Sequence, residues 1–330
     1  MTRMRVPPVA VSLCAMGLLA LLGLRFGARS DVHLGDLFLL FQPLDQTNAI
    51  SVVLIELRLP RILCAVAVGG ALGIAGALMQ TATRNPLADP GLLGVNAGAA
   101  VGVVLTIIVA GHSAPSTLII PALAGAALTT LLVWGLASLG TGMAALILAG
   151  AAVTGFLYAI IRGVLVLSQQ ALDVYRHWIL GSLGNVSIEG LVTFLPMLLA
   201  GVAAAGLAAR RLDALALGDD MGRTLGVGTG LTLALTLIAI ACLCAAAVAI
   251  AGPIGFVGLI APHMARRLGV SSTAGLAVQS ALLGASLVLL ADLAGRVILP
   301  GMEIQTGLCV ALIGGPAIAL IARGSGRLGQ

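Results

Sequence analysis

Lysine is absent from this 330-residue chain: all 17 basic side chains are arginine. A Walker A phosphate loop, a Schiff-base cofactor site and a catalytic lysine all need that ammonium, so all three are excluded. Aromatic residues make up only 3%, too few for a stacking surface that would hold nucleic acid. Charge is scarce as well, at 9% where soluble domains carry roughly 25%. The five cysteines (Cys14, Cys64, Cys242, Cys244, Cys309) lie inside apolar runs, and the Cys242/Cys244 pair has no histidine near it. They read as small hydrophobes, and no metal site is expected.

What the chain does contain is apolar surface, 60% hydrophobic residues with 44 glycines, more than a water-facing exterior tolerates. It belongs in a lipid bilayer. A spanning helix needs about 20 apolar residues. The charge-poor intervals predict ten crossings, near 7–25, 59–80, 92–110, 116–138, 143–168, 190–208, 228–250, 255–268, 274–298 and 304–322. The fold class is therefore an all-α integral membrane protein, one domain over 1–330.

The first segment exceeds the usual ~7–15 apolar residues of a secretory leader, so it is taken as a helix that stays. An even number of crossings puts both termini on one side. With that side cytoplasmic, the inner segments hold ten arginines against Asp89, Asp213, Asp219 and Asp220. The outer segments hold five arginines against seven acids, as the positive-inside rule requires.

Outside the crossings, 26–57 and 169–189 are expected as outer loops, the first with a short helix near Leu34–Leu40. The longest inner connection is 209–227. Gly91-Leu92-Leu93-Gly94-Val95 and Gly255-Phe256-Val257-Gly258-Leu259 echo each other, each shortly after a proline. Five helices separate them, so crossings 2–5 and 7–10 read as inverted repeats, a common transporter plan.

Four constellations carry chemistry. In the first, Asn85-Pro86 and Asp89-Pro90-Gly91 force the chain out of helix, as a plain turn or as a shaped reentrant connection. In the second, Leu217-Gly218-Asp219-Asp220-Met221 leads to Arg223 and Leu225. Its two aspartates suit a helix N-terminus. Leu217, Met221 and Leu225 form an apolar stripe that a solvated loop has no reason to carry, and a helix-in-groove partner would explain it. In the third, Gly252-Pro253, Gly255 and Pro262 interrupt an apolar stretch, which a bilayer tolerates only against protein or water. His263 there reads as a helix-end hydrogen-bonding residue. The fourth is the arginine set Arg58, Arg61 and Arg296, open to structural readings: snorkelling for the first two and an i,i+4 pair with Asp292 for the third. Arg162, far along the fifth crossing, is a charge near the membrane that is costly and often functional.

Together these segments resemble the FecCD family, the permease subunits of bacterial ABC importers for iron chelates, haem and vitamin B12. The resemblance runs from the second crossing to the C-terminus. Gly69-Gly70-Ala71-Leu72-Gly73 through Gln80, Arg84 to Gly91, Pro262 to Arg266 and Gly295-Arg296-Val297-Ile298 are most similar to its ferric-enterobactin branch.

The resemblance implies a permease rather than an enzyme, in the bacterial inner membrane. It would pair with a second permease, identical or paralogous, above two ATPase subunits that bind ATP and Mg2+. A periplasmic substrate-binding protein would deliver a ferric siderophore, with haem or vitamin B12 as the alternatives. An ion-coupled secondary transporter is the alternative of a different class. Within 209–227, the residues Leu217, Gly218, Asp219, Asp220, Met221, Arg223 and Leu225 match coupling helices that seat in the ATPase. Arg58, Arg61 and Arg296 match positions that engage acids on the binding protein. Thr141, Gly142 and Met143 would lie near an inner gate, with the pathway lined mainly by the fifth helix and Arg162 upon it.

Overall fold

A computed structural model describes residues 7–27, 32–110, 115–140, 142–216, 224, 226–299 and 302–325, and among them every regular element is helical. The helices are α1 (Pro8–Arg25), α2 (Ala49–Ala82), α3 (Val95–Ala110), α4 (Ile119–Ala137), α5 (Gly142–Leu167) and α6 (Gln169–Trp178). They continue with α7 (Ile188–Ala216), α8 (Thr229–Ala251), α9 (Val257–Arg267), α10 (Thr273–Val297) and α11 (Thr306–Ser325). Seven of them (α1, α2, α4, α5, α7, α8, α10) are long and apolar enough to cross a membrane. Below, the near face is the end of the bundle where α1 begins, and the far face is the opposite end.

Each of the ten predicted crossings is helical, but α3 and α9 are cut short at 16 and 11 residues. The cause is shared: both are broken crossings. After α2 the chain leaves helix at Thr83, and Asn85 and Asp89 cap successive turns through Leu87 N and Gly91 N. It then enters α3 through Gly94 in the left-handed region, φ 75°. After α8 it breaks at Gly252 (φ 73°) and enters α9 through Phe256, also left-handed at φ 66°.

The two breaks meet inside the bundle. The ring of Pro90 packs on Gly258, which also sits against the Leu72 carbonyl. Leu72 lies about 15 Å along α2 from its near-face end, so these non-helical stretches reach the middle of the bundle, where protein surrounds them.

Parts of two expected loops are helical beyond the short helix expected near Leu34–Leu40, which is present as a 3-10 helix over Leu34–Phe41. Residues 49–57, the end of the first outer loop, extend α2, capped by Asn48 Oδ1 accepting from Ile50 N (3.0 Å) and Ser51 N (3.4 Å). Pro60 would end an ordinary helix there, because its ring presses on the carbonyl one turn back. A π turn over Val53–Arg58 widens the helix just before it. Residues 169–178, the start of the second expected loop, form the amphipathic α6, whose first turn is capped by Ser168. α7 likewise runs on to Ala216, so the first part of 209–227 is helix rather than connection.

The core centres on α2 against α10. Their backbones nearly touch at glycines on one face of α2: an added Cβ would lie 2.4 Å from the Gly284 carbonyl at Gly69 and 2.1 Å from that of Ser280 at Gly73. This small-residue spacing lets bilayer helices approach closely, where dispersion contacts rather than water exclusion drive association. α3 and α4 cross in the same way at Gly98 and Gly125.

Candidate functional site

At the far face α2, α10 and the start of α11 bring together an ion network. Asp292, 2% exposed, accepts from Arg61 Nε at 2.7 Å and from Thr306 Oγ1 at 3.1 Å, and pairs with Arg296 Nη2 at 2.9 Å. Arg61 Nη1 reaches on to Glu303 at 2.8 Å. Arg296 Nη1 donates to the Gly23 and Phe26 carbonyls, and Arg58 donates to those of Leu24 and Arg25. These are the orphan carbonyls at the end of α1, whose partial negative charge favours cations.

The three expected docking arginines thus do gather at one end of the bundle, but they point inward. Arg58, Arg61 and Arg296 are all buried, at 5%, 8% and 5% exposure. The Asp292–Arg296 pair was readable from its i,i+4 spacing; Glu303 and the α1 carbonyls were not, because they arrive from distant sequence. Glu303, whose side chain is 45% exposed, is the member that reaches the surface.

Leu217, Gly218, Asp219, Asp220, Met221, Arg223 and Leu225 lie outside the described residues, as does Thr141. At the near face the end of α7, which closes at Ala216, is tied to its neighbours. Asp213 Oδ1 accepts from Thr273 N (2.8 Å) and Thr273 Oγ1, tying the end of α7 to the start of α10. Arg84 Nη2 donates to the Leu215 carbonyl at 3.1 Å, and Arg211 Nε to Thr232 Oγ1 at 3.4 Å. Neither Asp213 nor Arg84 stood out as a contact here; the signal available was that Arg84 is the one basic residue of its connection and Asp213 the acid that follows Arg210-Arg211.

Also toward this face, Gln80, 2% exposed, accepts from Arg266 Nη1 and donates to the Gly258 and Leu259 carbonyls (3.3 and 3.2 Å). It fixes the half-helix α9 to α2. His263 does not act as the expected hydrogen-bonding residue: its buried Nε2 has no partner among the described residues.

Where the two broken crossings meet, Asp89, Gly91, Asn96, Cys244 and Ile254 help enclose a small cavity of about 20 Å³. Of the expected loop residues, Asp89, Pro90 and Gly91 line it, while Gly252 and Pro253 pack against Trp178 and Gly181, Gly255 follows them with open space beside it, and Pro262 lies within α9. Asn85 and Pro86 form the turn that leads in.

Gly142 and Met143 open α5, and Arg162 lies exposed near its other end, close to α6. Burial pushes the Tyr175 hydroxyl above its usual range, neighbouring Tyr158 adds to this, and the Arg162 guanidinium opposes it.

The chain as a whole is similar to known proteins. The FecCD transport family model matches residues 14–324. The chain is 42% identical to the ferric enterobactin transport system permease protein FepD of Escherichia coli, covering 84% of this chain and 83% of that protein. It is 37% identical to the hemin transport system permease protein HmuU of Yersinia pestis, over 88% and 89% of the two. A metal-chelate-type ABC transporter solved in an inward-facing conformation superposes with a TM-score of 0.83 at 28% identity, covering 96% of this chain and 98% of the other. A bundle with two broken crossings and matches of this extent lead to one conclusion: the chain belongs to the FecCD transport family, as a multi-pass inner-membrane permease subunit, not an enzyme, that works beside a partner permease and ATPase subunits.

Proposed function

We propose that the permease carries a ferric siderophore, of catecholate type, from periplasm to cytoplasm, with both termini in the cytoplasm. The observation that carries the substrate is the 42% identity to the ferric enterobactin permease FepD, against 37% for the hemin permease and 34% both for the vitamin B12 import permease BtuC of Escherichia coli and for the second ferric enterobactin permease, FepG. Haem or cobalamin is therefore the second reading. The orientation is supported by Arg84, Arg210, Arg211, Arg266 and Arg267, all at the near face. Asp292, Arg61 and Arg296 pair with one another instead of standing as ion carriers, which favours ATP drive over an ion-coupled secondary transporter.

In this reading ATP and Mg2+ bind in two ATPase partners, and the segment Leu217–Leu225 seats in their groove. Asp213 and Arg84 hold its base, so motion in the ATPases passes to α7 and α10. A periplasmic binding protein docks on the far face. Because Arg58, Arg61 and Arg296 turn inward, its carboxylates compete with Glu303 for Arg61 rather than meeting a free guanidinium. The second permease, identical or paralogous, completes the pathway, with the start of α5 (Gly142, Met143) and Thr141 near the inner gate.

Cells expressing the permease with its ATPase and binding-protein partners test the substrate. Uptake of a radioiron catecholate chelate should be competed by unlabelled catecholate and not by hemin or cobalamin. Competition by hemin or cobalamin alone would transfer the assignment to the second reading.

A further inference from the structure

α1 holds 18 residues, about 27 Å of helix, close to the about 30 Å of a hydrocarbon core, so its ends lie near the membrane boundaries. At its far-face end the Arg25 guanidinium sits 5.2 Å from the centre of the Phe26 ring. Beside that end, and against the π turn of α2, packs a 3-10 helix over Leu34–Phe41. It presents Phe38 and Phe41, 71% and 86% exposed, with ring centres 6.2 Å apart. Two of the six phenylalanines in the chain are thus spent on one short surface element.

The elements it packs against expose apolar side chains too: Leu21 at the end of α1, Phe26 just after it and Leu57 in the π turn. The ends of the segment are closed by local hydrogen bonds, which lowers the backbone cost of approaching lipid, while Asp36 stays at its polar end. Asp36 Oδ2 accepts from His33 N at 2.7 Å, and the turn carries its own backbone bonds, Asp36 N to His33 O and Gln42 N to Leu39 O. Immediately after Phe41 the sequence becomes polar at Gln42, Asp45, Gln46, Thr47 and Asn48, with Asp45 closing a turn onto Thr47. Apolar tip and polar return describe an element that dips into an interface and comes back.

We propose that the Leu34–Phe41 helix is a membrane anchor that inserts Phe38 and Phe41 into the lipid leaflet at the far face, beside the end of α1. The element holds the end of α1 at a fixed depth, next to the carbonyls that Arg58 and Arg296 cap.

Phe41→Trp in the full chain, reconstituted into phosphatidylcholine vesicles, tests this. The readout is the emission this variant adds to that of Trp134 and Trp178 in the parent. Vesicles whose acyl chains are brominated near the headgroup should quench the added emission by about half or more, and its maximum should lie to the blue of an indole in water. Phe38→Trp should behave alike. An added emission with the maximum of a water-exposed indole and no response to brominated lipid would overturn the proposal. So would an unquenched indole that moves to the blue only when a soluble binding protein is added, which would assign the patch to protein docking.

Discussion

Replacing Asp292 by asparagine keeps the shape of the far-face network and removes one charge. Arg61 and Arg296, both nearly enclosed, then share Glu303 as their remaining carboxylate, and the Arg61 Nε and Arg296 Nη2 contacts at 2.7 and 2.9 Å lose their ionic character. Stripping one partner from a buried ion pair costs about 3–5 kcal/mol. At about 2 °C per kcal/mol for a large chain, the purified permease in detergent should lose its monodisperse peak about 6–10 °C earlier on heating. The second variant separates charge from packing. Asp292→Asn combined with Arg296→Met restores neutrality, leaving Arg61 with Glu303, and should recover at least half of the loss even though it removes more contacts. A single mutant that melts with the parent, or a double mutant no better than the single, would refute the claim that these charges stabilise one another.

Three further outcomes follow from the same structure. Gly73→Ala places a methyl 2.1 Å from the Ser280 carbonyl and should destabilise the α2–α10 crossing by about 1–3 kcal/mol, seen as lower folded yield. Its neighbour Gly70→Ala, 3.8 Å from the nearest atom, should be tolerated. Asp213→Asn leaves Thr273 less well bonded and should weaken the α7–α10 tie by about 1–3 kcal/mol, read as faster amide exchange in 210–216 and 272–276 with slower exchange elsewhere unchanged. Alanine at Asp219, Asp220 and Arg223 together should abolish uptake and ATPase binding in detergent while membrane insertion is kept; intact ATPase binding would remove the coupling role.

Much of the architecture was legible because a bilayer imposes a simple rule, long charge-free runs, and breaks are written in Gly and Pro. The α3 and α9 breaks show the limit. Their prolines mark where helix stops, but that Pro90 packs on Gly258 depends on two segments distant in sequence. The outward extension of α2 was hidden by Pro60, which signals a helix end unless a π turn precedes it. α7 was cut short at Arg210 because charge marks the edge of the hydrocarbon and not the edge of a helix.

For the arginines, residue type and location were readable while direction was not. Facing inward or outward depends on helix rotation and on Asp292, Glu303 and the end of α1, none of which adjoins Arg58 or Arg61 in sequence. The glycines at 69 and 73 carried a packing signal that read first as mere family resemblance.

The most direct test of the central claim is transport itself. The permease should be reconstituted with its partner permease and ATPase subunits in vesicles, with binding protein and a radioiron catecholate chelate on the outside and ATP with Mg2+ in the lumen. The account predicts chelate accumulation that requires hydrolysable ATP and survives collapse of the ion gradients. Accumulation without ATPase subunits, driven by an imposed ion gradient, would contradict it.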